Sequence, residues 1–427
     1  MNFLLGISFF LTLALGIPIA FVLGITSLIA LIALSNIPLH LIPQRLFTGM
    51  DSFPIMAVPF FILAGNLMNA SKITDRIIDF SKLLVGRIRG GLGHVNIVAS
   101  MFFAGISGSA VADTSALGSI LIPAMVRERY STAYSAAVTA SSSIIGPIIP
   151  PSIPMVILAM IANLSVGGLF LGGVLPGIFI GFGLMAVNYI ISRKRNYEKS
   201  QEPFRWKDFS KSLLGAIIPL LMPLIILGGI LGGIFTPTEA ASVAVIYSLF
   251  VGFFILRTLS LKDLPNIFFR SMVLTSTILI VFGMANVFSW ILATQQIPQK
   301  VSQYILSISR NPYVILFLIN IFLLIVGCFL EGLAAIMILV PILMPLVIQV
   351  GINPMHFALI VIVNLMIGLI TPPVGLCLIV VCGVARMKVG PILKEILPFL
   401  LVEIIILFII TYFPWFTLTL PRLFKFT

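Results

Sequence analysis

The sequence predicts an all-α polytopic membrane protein built as an inverted repeat, with two re-entrant helical hairpins and two broken helices. Three observations predict it. Sixty per cent of the residues are hydrophobic and 9% are charged, against roughly 25% charged in a soluble globule. Long apolar runs recur, each close to the ~20 residues that cross a bilayer as a helix. Helix-breaking residues of the second half also fall on those of the first at one constant spacing.

The apolar runs come first. Residues 213–235, 272–293 and 396–415 carry few or no charges. Only helices and closed barrels satisfy their backbone in lipid. These runs are continuous rather than alternating, which argues against barrel strands. A net charge of +12 raises the question of nucleic-acid binding. The basic residues instead sit in short loops between apolar spans, the positive-inside distribution. Cys328, Cys377 and Cys382 all lie in apolar stretches and offer neither a disulfide framework nor metal-ligand spacing. The N-terminal apolar stretch has no basic leader and no clear cleavage site, so it is expected to be mature structure.

The repeat comes next. A polar stretch, 193–211, holds seven Lys/Arg and divides the chain near its middle. At an offset of 222 residues, Gly105 falls on Gly327, Pro123 on Pro345, Gly146 on Gly368, Pro150 on Pro372 and Pro151 on Pro373. A weaker match, at a slightly different offset, sets Pro18 on Pro237. Gly and Pro are frequent in membrane helices, yet five matches in one gapless register are poorly explained by chance. The first repeat is expected over 1–196, with an amphipathic arm at 72–86, a hairpin at 91–126 and a broken helix at 131–163. A basic cytoplasmic linker, 197–211, leads to the second repeat, 212–427. Its arm is expected at 295–308, its hairpin at 312–347 and its broken helix at 354–385.

Charge decides the hand of the repeat. The stretch 91–126 is short for two full spans and long for one, and its centre, 105–115, is small and polar. It reads as two half-helices entering and leaving on one side. Arg87, Arg89, Arg127 and Arg129 flank it, so that side is expected to be cytoplasmic. The hairpin at 312–347 is flanked by Arg310 alone and is expected to open to the periplasm. Opposite openings make the repeat inverted. A short first segment at 3–16 and spans near 18–34, 53–70, 131–163, 166–192, 213–235, 237–256, 272–294, 354–385 and 396–418 complete the threading. Twenty of the 25 Lys/Arg then fall in cytoplasmic segments, and the N-terminus is periplasmic.

Two constellations carry chemistry. In Gly105-Ile-Ser-Gly-Ser-Ala-Val-Ala-Asp-Thr-Ser115, small residues let the backbone bend at membrane depth. Ser107, Ser109, Thr114 and Ser115 offer hydroxyl oxygens, and a broken turn frees carbonyls, which suits a dehydrated hard cation. Asp113 is a carboxylate that apolar surroundings make costly unless it is partnered. It is also placed to cap the second half-helix. In Ser141-Ser-Ser-Ile-Ile-Gly-Pro-Ile-Ile-Pro-Pro-Ser152, a helix meets Gly-Pro and then Pro-Pro and loses its hydrogen-bond ladder. Unwound backbone at membrane depth is tolerated where it lines a cavity or is buried in protein. The mates are Gly327-Cys-Phe-Leu-Glu-Gly332, with Glu331 as its acid, and Gly368-Leu-Ile-Thr-Pro-Pro-Val-Gly375. For one Gly or Pro, packing is the simpler reading. For two symmetric pairs, a midplane binding site is the better one. Half-helix N-termini favour an anion, and freed oxygens favour a small cation. Together they point to symport of an anion with Na⁺. Thr236-Pro-Thr-Glu-Ala-Ala241 reads as a helix start, with Thr236 or Thr238 as cap and Glu239 in the first turn. His40, His94 and His356 lie near expected membrane ends and receive no role.

These motifs, together with Gly233-Ile-Phe-Thr-Pro-Thr-Glu-Ala-Ala241, resemble the large membrane (M) subunit of the tripartite ATP-independent periplasmic (TRAP) transporters over essentially the whole chain. Within the family the sialic-acid branch is the nearer likeness, and C4-dicarboxylate carriers share the motifs. The resemblance implies Na⁺-driven uptake of an organic acid delivered by a soluble periplasmic binding protein. It implies a separate small four-helix membrane (Q) subunit, an inner-membrane location, no organic cofactor and no enzymatic activity. It implies an elevator-type motion of a hairpin-bearing body, as in the ion transporter superfamily. Carried over by motif, the Na⁺ sites involve Ser107, Ser109, Gly327, Cys328, Gly368, Thr371 and Pro372. Asp113, Thr114, Ser115, Ser142, Ser143, Gly146 and Pro150 are the expected substrate contacts.

Two other readings compete. A stand-alone Na⁺/anion symporter of similar fold needs no binding protein, and co-purification of a small partner separates it. More remotely, Gly105-Ile-Ser-Gly108 has the local form of a rhomboid serine motif, whose Ser needs a His base at membrane depth. His356, the only downstream His, falls at an expected helix start.

Overall fold

The computed structural model describes residues 2–33, 38–197 and 206–426. Every regular element among them is a helix. Seven helices are long and apolar enough to cross a membrane, or nine if each of two bent pairs counts as one span.

In the first half, α1 (Asn2–Ala14) turns at Gly16, where φ is +74°, into α2 (Ile19–Ala33). An unexpected helix, α3 (Leu41–Met50), precedes a 3-10 turn at Phe53–Met56 and α4 (Ala57–Ala70). The amphipathic arm α5 (Ile73–Val85) leads into the hairpin of α6 (Gly91–Ser107) and α7 (Ala110–Arg127). The broken helix is α8 (Thr132–Ser143) and α9 (Ile153–Ala162), and α10 (Val166–Lys194) closes the half.

The second half repeats this order. After α11 (Trp206–Leu231), α12 (Pro237–Phe250) with its π turn at Val251–Ile255, and α13 (Leu264–Thr294) comes the arm α14 (Ile297–Ile308). The second hairpin is α15 (Pro312–Gly327) and α16 (Gly332–Gln349), set at 120° to the arm. The second broken helix is α17 (Pro354–Gly368) and α18 (Leu376–Ala385), followed by α19 (Val389–Tyr412) and α20 (Trp415–Leu423). α16 starts and ends 222 residues after α7, and α18 starts and ends 223 after α9. The spacing of the helix breakers is therefore the spacing of the elements.

Local chemistry sets these boundaries. Ser131, Ser152, Ser165, Asn311 and Asn353 each accept a backbone N–H at a helix start, which satisfies donors the helix leaves free. Pro237, Pro312 and Pro354 occupy first positions, where a missing N–H costs nothing. Thr236, not Thr238, caps α12 in a capping box with Glu239. Thr238 instead donates to the Phe53 carbonyl at 2.9 Å.

The two halves interlock. α9 packs on α16, and α18 packs on α7. At the centre, α8 is buried at every position from Tyr134 to Ser143, and α17 from Met355 to Gly368. A helix buried on all faces belongs inside a protein core rather than at a lipid surface.

Two expectations need correction. The hairpin helices are longer than expected of half-helices: α7 has 18 residues, about 27 Å at 1.5 Å per residue. The tip takes only Gly108 and Ser109, because Gly108 turns the chain with φ at +59°, and this leaves more length for the helices. The span expected at 396–418 bends by 56° at Phe413–Pro414, where proline cannot continue the ladder. Residues 198–205 of the basic linker lie outside the described residues.

Candidate functional site

Each hairpin tip is pressed against the helix break of its own half. At the first tip, Ser109 is extended and caps α7, accepting the Ala112 N–H at 3.4 Å. Asp113 is therefore not the cap. It sits one turn inside α7, fully buried, and accepts the Ser107 hydroxyl at Oδ1. The Ser109 N–H donates back to Ser107 Oγ at 3.2 Å. The first break closes over this group. A Cβ at Gly108 would lie 2.6 Å from the Pro151 carbonyl oxygen, and one at Gly146 would collide with Asp113 Oδ2. Only glycine fits such close approaches of backbone to backbone or carboxylate.

The second tip is built differently. Glu331 caps α16, accepting the Ala334 N–H at 3.2 Å. In the 222-residue register Glu331 matches Ser109, and Ala335 stands where the first half has Asp113. Glu331 is therefore not the counterpart of Asp113. The tip meets its break through backbone: a Cβ at Gly368 would lie 2.6 Å from the Gly327 carbonyl oxygen. The Val374 N–H donates to the Cys328 carbonyl at 3.2 Å. Thr371 returns its hydroxyl to the Ile367 carbonyl at 2.8 Å, at the end of α17. The bonds Pro150–Pro151 and Pro372–Pro373 are both cis.

Both tips and both breaks meet at one cavity of about 90 Å³. Gly108 and Ser109 line it from the first tip, Glu331 and Gly332 from the second, with Pro147 and Leu369 beside the breaks. A cavity of about 110 Å³ flanks the first tip toward α4 and α13, lined by Asn66, Asn69, Ser107 and Ser109. Another of about 240 Å³ lies beside the second tip, lined by Gly327, Glu331, Gly368 and Val374. The seven residues expected to hold Na⁺ thus fall into two groups. Ser107 and Ser109 stand with Asp113 at the first tip, and Gly327, Cys328, Gly368, Thr371 and Pro372 gather at the second.

The expected substrate contacts divide less favourably. Gly146 and Pro150 belong to the first break. Ser142 bonds to Ser100 Oγ at 2.8 Å, and Ser143 to the Thr139 carbonyl at 2.7 Å. Both are fully buried between helices, and neither lines the central cavity. Thr114 is buried and bonds to the Ala110 carbonyl at 2.8 Å, whereas Ser115 is exposed. Reasoning from sequence passed over three groups. Asn66, which donates to Ser271 Oγ at 2.8 Å, is one. The buried pair Asn320–Asn364, joined at 2.8 Å, is another. Glu403, a fully buried acid within α19, is the third. A lone acid in an apolar run is itself a signal, and Glu403 had one.

A polytopic helical protein whose halves interlock around unwound segments at an internal cavity has the architecture of a membrane carrier. The family model for "Tripartite ATP-independent periplasmic transporter, DctM component" matches residues 6–416, and the chain belongs to that family. It is 44% identical to the sialic acid TRAP transporter large permease protein SiaM of Vibrio cholerae, over 96% of each chain. It is 39% identical to the C4-dicarboxylate TRAP transporter large permease protein DctM of Pseudomonas aeruginosa, over 94% of this chain and 93% of that one. It is 41% identical to the isethionate TRAP transporter permease protein DctMQ of Oleidesulfovibrio alaskensis, over 95% of this chain and 64% of that longer one. The fold alone is shared with the YdaH transporter of Alcanivorax borkumensis: TM-score 0.62, 15% identity, 88% of this chain and 89% of that one.

Proposed function

We propose that this chain is the carrier of a tripartite inner-membrane system that imports an organic acid anion together with Na⁺. The observation that carries this reading is the convergence of both tips and both breaks on one cavity. Freed carbonyls and hydroxyls at the tips supply oxygen ligands for a hard cation. Helix N-termini at the breaks supply N–H groups for an anion. The cavity is smaller than the ~300–1,000 Å³ of small-molecule sites, so admitting an organic acid requires the tips to part from their breaks. In this reading the hairpins and broken helices move as one body against α4, α12, α13 and the arms, as an elevator. The hairpins open to opposite sides and the N-terminus faces the periplasm.

The substrate is an organic anion, with sialic acid ahead of C4-dicarboxylates. The relative at 44% identity is named for the former and the one at 39% for the latter. The partners are a periplasmic binding protein and a small four-helix membrane subunit on a separate chain. Affinity purification of the chain from its native membrane tests the partnership. Recovery of a small four-helix protein in a stable complex supports it, and recovery of a carrier that transports alone favours a stand-alone symporter.

A further inference from the structure

Glu403 lies in the middle of α19, fully buried, and neither of its carboxylate oxygens has a hydrogen-bond partner. One turn before it, Phe399 packs ring to ring with Tyr134 of α8, centroids 6.0 Å apart. α8 and α19 run together from that contact, so Glu403 lies one turn deeper along their interface. Two turns past Tyr134 on α8, the Ser141 hydroxyl is also buried without a partner. On α18, which packs against α7 and α8, Cys377 is fully buried. Asp113 Oδ2 is itself buried and unpaired. Buried polar groups thus occupy four helices packed on one another, α19, α8, α18 and α7, the last carrying the acid at the first tip.

An acid kept at membrane depth without a partner is costly, and such residues mark ion or proton routes. Among the described residues no three His, Cys, Asp or Glu side chains gather as a metal site. A proton needs no further ligands: it binds one carboxylate oxygen and leaves a neutral acid. The other titratable groups on helices packed against α19 are Tyr134 on α8, Tyr189, Arg193 and Lys194 near the end of α10, His356 on α17, and Cys377 and Cys382 on α18. None of these forms a hydrogen bond with Glu403. On α19 itself Lys394, Glu395 and Tyr412 are two turns away or more.

We propose that Glu403 is a proton-binding site and that transport by this chain is coupled to pH through it, an inference that rests on the carrier reading above. Loading forms one O–H bond at a Glu403 carboxylate oxygen with a proton taken from water. Release breaks that O–H bond and returns the proton to water. The loaded form is the transporting one, so uptake falls as pH rises.

Infrared spectra of the chain in nanodiscs, recorded across an acid-to-alkaline titration, test the site without any substrate. A protonated-carboxyl band should vanish as pH rises, persist in Asp113→Asn and be absent from Glu403→Gln. A band that never titrates, or one that survives in Glu403→Gln, overturns the proposal. Uptake in proteoliposomes tests the coupling. The wild type should slow by up to about tenfold per pH unit on the alkaline limb, the slope of one ionising group. Glu403→Gln should vary less than about twofold over the same range and keep its Na⁺ dependence. An unchanged pH profile in Glu403→Gln overturns the coupling. Should no variant transport at any pH, the carrier reading fails, while the infrared result still decides the site.

Discussion

Gly327 and Gly368 meet backbone to backbone: a Cβ at Gly368 would stand 2.6 Å from the Gly327 carbonyl oxygen and 2.7 Å from its Cα. No φ at either residue calls for glycine, so space alone requires it. Gly368→Ala should push the second tip off its break at a cost of about 1–3 kcal/mol, as overpacking does, and slow uptake. Gly383→Ala, with nothing within 4 Å of its added Cβ, is the matched control. Equal melting temperatures and equal uptake in the two variants would show that this contact is dispensable.

Ser107→Ala and Thr371→Val each remove one oxygen with little change of shape. One oxygen lies at the first tip and the other at the second break. Both variants should insert normally and need more Na⁺ for half-maximal uptake. If the residues serve only close helix packing, maximal rate or stability changes and the half-saturating Na⁺ does not. A Na⁺ titration of uptake at matched protein levels reads the difference.

Asp113→Ala should impair uptake more than Glu239→Ala. Asp113 is buried at the first tip and bonded to Ser107, whereas Glu239 closes an exposed capping box. Loss of a buried hydrogen bond costs on the order of 1 kcal/mol, and more where a partner is left unpaired, so uptake should fall about tenfold in the first variant. Comparable residual uptake from the two, at equal expression, would mean that burial beside the tip is not what matters.

The arms, hairpins and broken helices were legible because each is bounded by Gly, Pro, Ser or Asn in a register that repeats. The two broken helices appear as α8–α9 and α17–α18. What escaped was three-dimensional. Asp113 resembled a helix cap because Asp is a good one, but Ser109, four residues earlier, takes that place once Gly108 has turned the chain. Ser142 and Ser143 resembled site residues because they precede a break, yet the helix turns them into the core. Glu403 was hidden in a run read for its hydrophobicity. No local pattern says which helix face an acid will occupy.

The sidedness of the hairpins is open to direct labelling. Arg129 and Gln349 are exposed at the outer ends of α7 and α16. Single cysteines there, in a background lacking Cys328, Cys377 and Cys382, should react with an impermeant reagent from opposite faces of sealed membranes. Reaction of both from one face would contradict the inverted repeat.

The central claim is Na⁺-driven import of an organic anion handed over by a binding protein. Its most direct test is uptake of labelled sialic acid, a C4-dicarboxylate and isethionate into proteoliposomes holding the chain and its small partner. The account predicts accumulation of at least one of them when an inward Na⁺ gradient and the cognate binding protein are both present, and background counts when either is left out. Accumulation that persists without Na⁺, or without any binding protein, would contradict it.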